Sequence, residues 1–151
     1  MAQANLRGRP PQSFFADTIR LEYAENTGGF LGLGDSLPEA WRNAVFTIGC
    51  TVGLAAIIAF TLLASRMNAI QILSLSLISA GGLGNLIDRW VCNGHVRDFL
   101  NLGVGSLRTG IFNVADAALM AGCFLLLLAP RFRPSPGGEP SSQDIEYDQR
   151  P

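Results

Sequence analysis

The chain of 151 residues contains no lysine, one histidine and three cysteines. Its eleven basic residues are all arginines, and no polybasic run exists to bind a nucleic-acid backbone. A single histidine is too few for a histidine-rich metal site, and the cysteines lack the paired spacing of a zinc site or a disulfide framework. We therefore expect no metal, no cofactor and no nucleic-acid partner, and we interpret Cys50, Cys92 and Cys123 as free, buried thiols.

Charge is scarce as well, at 15% of the residues against about 25% in an average soluble domain. No charged residue lies between Arg42 and Arg66 or between Arg66 and Asp88, and Asp116 is the only one in residues 109–130. Each of these three apolar stretches is long enough to cross a bilayer, which takes roughly 20 residues. The N-terminal segment MAQANLRGRPPQ has no apolar core, so we expect no signal peptide there.

The same patterns predict how the chain is organised. We expect a short polar N-terminus (1–17), helices at about 39–65, 68–91 and 112–130, and a disordered tail (134–151) rich in proline, glycine and serine. In DTIRLEYAE, apolar residues at every second position predict a half-buried strand. The glycines in VCNGHVRDFLNLGVGSLRTG predict a loop, with room for short strands, between the second and third helices.

Polar residues stand where the second apolar stretch ends and where the third begins. Because consecutive helices run antiparallel, Asp88 and Asp116 are expected at the same membrane face. An Asp near hydrocarbon costs about 2.5–3.5 kcal/mol at a helix centre, so its presence there suggests a use. Two carboxyl groups held close together share one proton, which is the chemistry of an aspartic peptidase and needs no metal and no nucleophilic Ser or Cys.

Plainer interpretations of these residues stay open on composition alone. Asp88 next to Arg89 fits a simple ion pair at a helix end, and Asn85 and Asn113 fit hydrogen-bond partners between helices. Asp98 follows an arginine in the polar loop, and composition gives it less weight than either other Asp. The glycines of the GGLGN run (81, 82 and 84) lack the lysine of a phosphate-binding loop and predict close helix packing.

Four segments in order along residues 18–131 carry a resemblance to a known family: RLEYAENTGGFLGLG, GGLGNLIDRW, GHVRDFLNL and FNVADAALMAG. The chain resembles the lipoprotein signal peptidases (signal peptidase II, peptidase family A8), which are integral membrane aspartic peptidases of bacteria. The resemblance implies an all-α membrane protein, a transmembrane helix bundle with a small extracytoplasmic β-rich segment. It assigns residues 18–133 to a membrane peptidase domain in which three spans are visible, whereas the family normally has four.

The resemblance also implies a site. The catalytic pair falls on Asp98 of HVRDF and Asp116 of FNVAD, so Asp98 replaces Asp88 in the pair that composition favours. One residue of this pair is expected on a loop that can move and the other on a helix. Six residues take substrate-binding or supporting roles: Asn26, Gly28, Asn85, Asp88, Arg89 and Asn113.

The implied substrates are prolipoproteins whose signal peptide is removed before a Cys that carries diacylglycerol. The other implied partners are membrane lipids, and the expected protein is a monomer. Its implied location is the bacterial cytoplasmic (inner) membrane, which it crosses several times, with the active site toward the extracytoplasmic face.

One departure from the family leaves alternatives open. The family's first spanning helix precedes the strand segment and bears an Asp and a Lys, but residues 1–17 are too polar and too short to span. We expect a start codon assigned too far downstream, with a genuine three-helix form as the alternative. Two other functions stay possible: a catalytically silent relative that binds lipoprotein or a partner helix, and a small ion or proton carrier that uses Asp88 and Asp116.

Overall fold

The computed structural model describes residues 2–28, 36–64 and 67–129. The elements in chain order are helix α1 (Ala2–Leu6), strands β1 (Gln12–Phe14) and β2 (Ile19–Asn26), helices α2 (Glu39–Leu63) and α3 (Ala69–Val91), strands β3 (Val96–Val104) and β4 (Leu107–Arg108), and helix α4 (Val114–Leu128). The strand predicted in DTIRLEYAE is confirmed as β2. The predicted tail (134–151) lies outside the described residues.

The three long helices begin and end within two residues of the predicted positions. Both α3 and α4 start at an Asn whose side chain accepts the N3 amide: Asn68 from Gln71 at 2.8 Å, and Asn113 from Asp116 at 3.0 Å. In length and apolar composition α2 and α3 suffice to cross a membrane. Helix α4 is apolar but has 15 residues in the described part of the chain, so a third span stays a prediction.

Helix α3 packs tightly against α4 through glycine. A Cβ atom on Gly81 would lie 2.4 Å from the Ala115 carbonyl oxygen, and one on Gly122 would lie 2.7 Å from the Ser74 carbonyl oxygen. These distances are below van der Waals contact, so a side chain at either position would force the helices apart. Close packing at the GGLGN glycines is thus confirmed at Gly81, and it holds the start of α4 against the C-terminal half of α3.

Helix α3 lies between the other two long helices, since it packs against both α2 and α4. On the α2 side the packing is looser, because a Cβ on Gly82 would be 3.4 Å from the Leu54 side chain, an ordinary contact. A groove of about 480 Å³ remains between α2 and α4, with residues of α3 as its floor. Most of the side chains that line this groove are apolar.

The segment after α3, predicted as a loop, mostly forms strand. Strand β3 pairs antiparallel with β2 and, beyond the turn at Gly105, with the two-residue β4, which completes a sheet of order β1-β2-β3-β4. The loop prediction was wrong here because the residues of β2 that pair with β3 are 70 or more positions distant in sequence (Asn26 pairs with Val96), and such pairing overrides local glycine content.

The sheet has one apolar and one polar face. Cross-strand partners share a face, so the register places Phe14, Ile19, Leu102, Val104 and Leu107 together on one side. The opposite side carries Ser13, Arg20, Asn101 and Arg108. By the same alternation along β3, Asp98 projects from the apolar side. On that side Asp98 contacts the start of α4, where its carboxylate accepts a hydrogen bond from the Asn113 side chain.

Candidate active site

Two buried carboxylates occupy the junction between the helices and the sheet. Asp98 lies near the start of β3 and is 1% exposed, and Asp116 lies in the first turn of α4 and is 9% exposed. Burial at this level is rare for an acid unless its oxygens accept hydrogen bonds. Both acids meet this condition through asparagine side chains that come from three different elements.

Asn113 and Asn85 connect the two carboxylates. The Asn113 Nδ2 donates to Asp98 Oδ1 at 2.7 Å and to Asn85 Oδ1 at 3.0 Å. The Asn85 Nδ2 in turn donates to Asp116 Oδ1 at 2.7 Å. The second oxygen of Asp116 accepts from the Asn113 backbone amide at 3.2 Å. The result is an unbroken chain of hydrogen bonds from one acid to the other, in which both hydrogens of the Asn113 amide are used.

A second path fixes Asp98 from the side of the sheet. The Asn26 Nδ2 donates to Asp98 Oδ2 at 3.1 Å, while the Asn26 Oδ1 accepts from the Gly28 amide at 3.0 Å. The Gly28 carbonyl accepts from Arg89 Nη2 at 2.7 Å. The buried Arg89 also donates from Nη1 to the Gly94 carbonyl at 2.9 Å. The Arg89 guanidinium therefore links the last turn of α3 to two neighbouring segments, the turn after β2 and the turn after α3 itself.

Asp88 does not join this network through any hydrogen bond found among the described residues. Its carboxylate accepts from the Arg97 side chain and, at 3.2 Å, from the Arg97 backbone amide. The pairing of Asp88 with Asp116 that composition favours is thus wrong, because the Asn85 side chain, one turn earlier on α3, is the one that reaches Asp116. The expected ion pair exists, but its partner is Arg97 on β3 and not the neighbouring Arg89. A proton carrier built on Asp88 and Asp116 loses its structural basis.

Burial raises the pKa of Asp98 above that of an ordinary aspartic acid. The hydrogen bonds from Asn113 and Asn26 act in the opposite direction, because they favour the charged carboxylate, while the negative charges of Asp116 and Asp88 add to the rise. An acid of this kind keeps its proton closer to neutral pH than an exposed one does. This is the property that a carboxyl group needs in order to donate a proton to a substrate.

The groove between α2 and α4 leads to this network. The end of the groove nearest the two acids, called its upper end below, is lined by Asn85, Arg89 and Asp116. The Phe46 ring stacks there on the Arg89 guanidinium, with 5.5 Å between the ring centroid and Arg89 Cζ. Below that end the lining is apolar or sulfur-containing: Cys50, Gly53, Leu54, Ile57, Ile78, Gly82, Leu119, Met120 and Cys123. The cysteines are free, as predicted, but burial was a wrong expectation, since Cys50 and Cys123 face the groove rather than the tight α3–α4 contact and are exposed.

Sequence reasoning missed two contributors to the site. Arg97 was treated only as the neighbour of Asp98, yet its side chain and amide anchor β3 to Asp88 of α3. Phe46 lies in an apolar stretch with nothing to distinguish it, and only the fold shows that it covers Arg89. The sequence pattern that could have indicated a separate role for Arg97 is the two-residue period of β3. This period places the Arg97 and Asp98 side chains on opposite faces of the strand.

Comparison with known proteins agrees with this arrangement. The family model described as "Signal peptidase (SPase) II" matches residues 1–132. The lipoprotein signal peptidase of Burkholderia ambifaria (strain MC40-6) is 40% identical over 99 residues, which cover 66% of this chain and 56% of that protein. The lipoprotein signal peptidase of Syntrophus aciditrophicus (strain SB) is 33% identical over 111 residues, which cover 73% of this chain and 68% of that protein.

A solved structure is similar as well. A bacterial membrane enzyme, determined by the in meso method at 2.3 Å resolution, superposes with a TM-score of 0.69 and 27% sequence identity. The superposition covers 86% of this chain and 76% of that one. The chain spans little more than half the length of the B. ambifaria relative. With apolar helices, a small antiparallel sheet and a family model that matches most of its length, the chain is an integral membrane protein that belongs to the signal peptidase II family.

Proposed function

We propose that this chain is an aspartic endopeptidase that removes the signal peptide from diacylglyceryl-modified prolipoproteins, with Asp98 and Asp116 as its catalytic residues. The observation that carries the proposal is the meeting of these two buried acids in one hydrogen-bonded network at the end of an apolar groove. Family membership supports the choice of substrate, since the relatives are lipoprotein signal peptidases.

The proposed mechanism uses one proton shared by the pair. The charged carboxylate takes a proton from a water molecule, whose oxygen attacks the carbonyl carbon of the scissile bond, while the protonated acid donates to the carbonyl oxygen. The resulting tetrahedral diol collapses when the amide nitrogen receives a proton and the C–N bond breaks. The products are the signal peptide with a new carboxylate and the lipoprotein with a free amino group on its lipidated Cys. In this mechanism the proton belongs to the pair and not to one named residue.

The other polar residues have proposed supporting roles. Three amide side chains fix the positions of the two carboxylates by hydrogen bonds: Asn26, Asn85 and Asn113. Arg89 in turn fixes Asn26 through Gly28. These amides also offer groups that a peptide backbone of the substrate can bond when it enters. Asp88 acts at one remove, since it fastens β3 to α3 through Arg97.

We also propose that the sheet lies on the membrane surface with the site at the boundary between lipid and water. The face of the sheet that carries Asp98 contacts the start of α4, and it also carries Phe14, Val104 and Leu107, which are exposed at 44%, 76% and 81%. Exposed apolar side chains next to membrane-spanning helices are stabilised by lipid contact. A lipid-bearing substrate then reaches Asp98 without leaving the bilayer. By family resemblance this is the extracytoplasmic side.

Replacing either acid with its amide is expected to abolish catalysis. Asp98→Asn and Asp116→Asn each remove one carboxyl group of the pair. The substrate is a lipobox peptide, a synthetic peptide that contains the cleavage site and the diacylglyceryl-modified Cys. Its kcat/KM should fall by about 10²–10⁴-fold or more, which is the contribution of general acid–base catalysis. The matched control is Asp17→Asn, which makes the same chemical change in an ion pair with Arg20 at the edge of the sheet.

Normal turnover by either active-site variant, with circular dichroism and unfolding midpoint unchanged, would contradict the assignment. A wild-type protein that binds the lipopeptide without ever cleaving it would favour the silent relative instead.

Asn113→Ser is expected to shift the pH dependence of activity. Serine can still cap α4 but cannot donate to both Asp98 and Asn85. Loss of the donor to its charged form raises the pKa of Asp98 further. The limb on which kcat/KM declines with rising pH should therefore move to higher pH. The control is Asn68→Ser, the equivalent cap of α3, whose profile should match the wild type. A limb that stays in place or moves to lower pH contradicts the role given to Asn113.

The membrane placement is tested by a single tryptophan on each face of the sheet. In a Trp41→Phe, Trp90→Phe background, Leu107→Trp on the apolar face should be quenched by brominated lipid, whereas Ser13→Trp on the polar face should not. Equal quenching at both positions would contradict the placement. Labelling of Cys92 by a membrane-impermeant maleimide in intact spheroplasts checks which side the sheet faces.

A further inference from the structure

The groove between α2 and α4 carries two thiols that the proposed reaction does not use. Cys50 on α2 and Cys123 on α4 belong to the two walls of this cavity of about 480 Å³, within the range of about 300–1,000 Å³ typical of small-molecule sites. Both are free and exposed. The third cysteine, Cys92, lies at the C-terminal end of α3 and lines a different, polar cavity beside His95 and Glu25.

The position of the two thiols relative to the acids follows from helix geometry. Cys50 is four residues after Phe46, which is about 6 Å or one turn along α2 from the ring that stacks on Arg89. Cys123 is seven residues after Asp116, about 10 Å or two turns along α4. Both therefore lie along the path by which an apolar chain would approach the acids from the lipid.

The surroundings suit one class of reagent. The groove is mostly apolar, with the Arg89 cation at its upper end, and its walls belong to apolar helices, of which α2 is long enough to cross a bilayer. Water-soluble charged reagents are disfavoured there, whereas an apolar molecule partitions into it. Both thiols are accessible from the groove, unlike a thiol enclosed in a packed core, so a reagent that partitions into the groove can reach them.

We propose that this groove is a covalent modification site, at which Cys50 and Cys123 add to apolar α,β-unsaturated carbonyl compounds that partition into the membrane. In this step the thiol sulfur forms a bond to the β-carbon, the C=C electron pair moves toward the carbonyl, and the proton lost by the thiol ends on the α-carbon. Nothing leaves, and no oxidant or reductant is needed. The adduct fills the groove and blocks the approach to Asp116.

The test uses the full-length protein in liposomes, N-ethylmaleimide as the probe, and mass spectrometry to locate the adducts. Cys50 and Cys123 should be labelled, and bound diacylated lipopeptide should slow the labelling of both but not of Cys92. Blockage of activity and protection by the lipopeptide rest on the proposed peptidase function, whereas the site of labelling and its rate without lipopeptide do not. The two can therefore fail separately.

Three variants make the assignment specific. Untreated Cys92→Ser should have wild-type activity. N-ethylmaleimide should inactivate this variant at the same rate as the wild type. Cys50→Ser and Cys123→Ser, each compared with its own untreated sample, should show which adduct accounts for the loss, and the double variant should resist the reagent. Labelling of Cys50 and Cys123 only after unfolding in detergent would overturn the proposal, and so would full activity in protein labelled at both positions.

Discussion

The side chain of Asn113 is the point on which the rest of the site depends. Its oxygen caps α4 by accepting the Asp116 amide, and its nitrogen bonds both Asp98 of the sheet and Asn85 of α3. A lost cap costs about 1 kcal/mol. A buried acceptor left without a donor costs a further 1–3 kcal/mol or so. Local helix stability and the geometry of the two acids are thus set by one residue, and a change there affects both together.

The glycine contacts between α3 and α4 bring the two helices close enough for the Asn85 side chain alone to link α3 to Asp116. Gly81 lets the Ala115 carbonyl approach to a distance that no side chain would permit, and Asn85, one turn later, then reaches Asp116 directly. Helix α2 makes no comparably tight contact with α3 at Gly82, which leaves the groove on that side. Tight packing on one side of α3 and a cavity on the other place the wall that carries Asn85 and Asp116 next to a space that can admit an apolar chain.

Much of this arrangement was predictable, and the remainder was not for identifiable reasons. Uncharged runs located α2, α3 and α4 to within two residues. Only the family motif indicated that Asp98 belongs to the site. Composition predicted a charged loop at this segment, whereas pairing with β2 makes it a strand. The expected mobile loop was therefore wrong: Asp98 stands on a paired strand of the sheet. The Asn85–Asn113 bridge depends on the relative placement of two helices, which no local pattern encodes, although each amide had been singled out.

The central claim is that Asp98 and Asp116 share a single proton. Infrared titration of protein labelled with ¹³C-aspartate tests it most directly, because protonated and ionised carboxyl groups absorb at different frequencies. A shared proton should give one protonated aspartate near neutral pH, with a band that is changed by Asp98→Asn and also by Asp116→Asn, but not by Asp17→Asn. Absence of any protonated aspartate near neutral pH, or a band that neither active-site substitution alters, would contradict it.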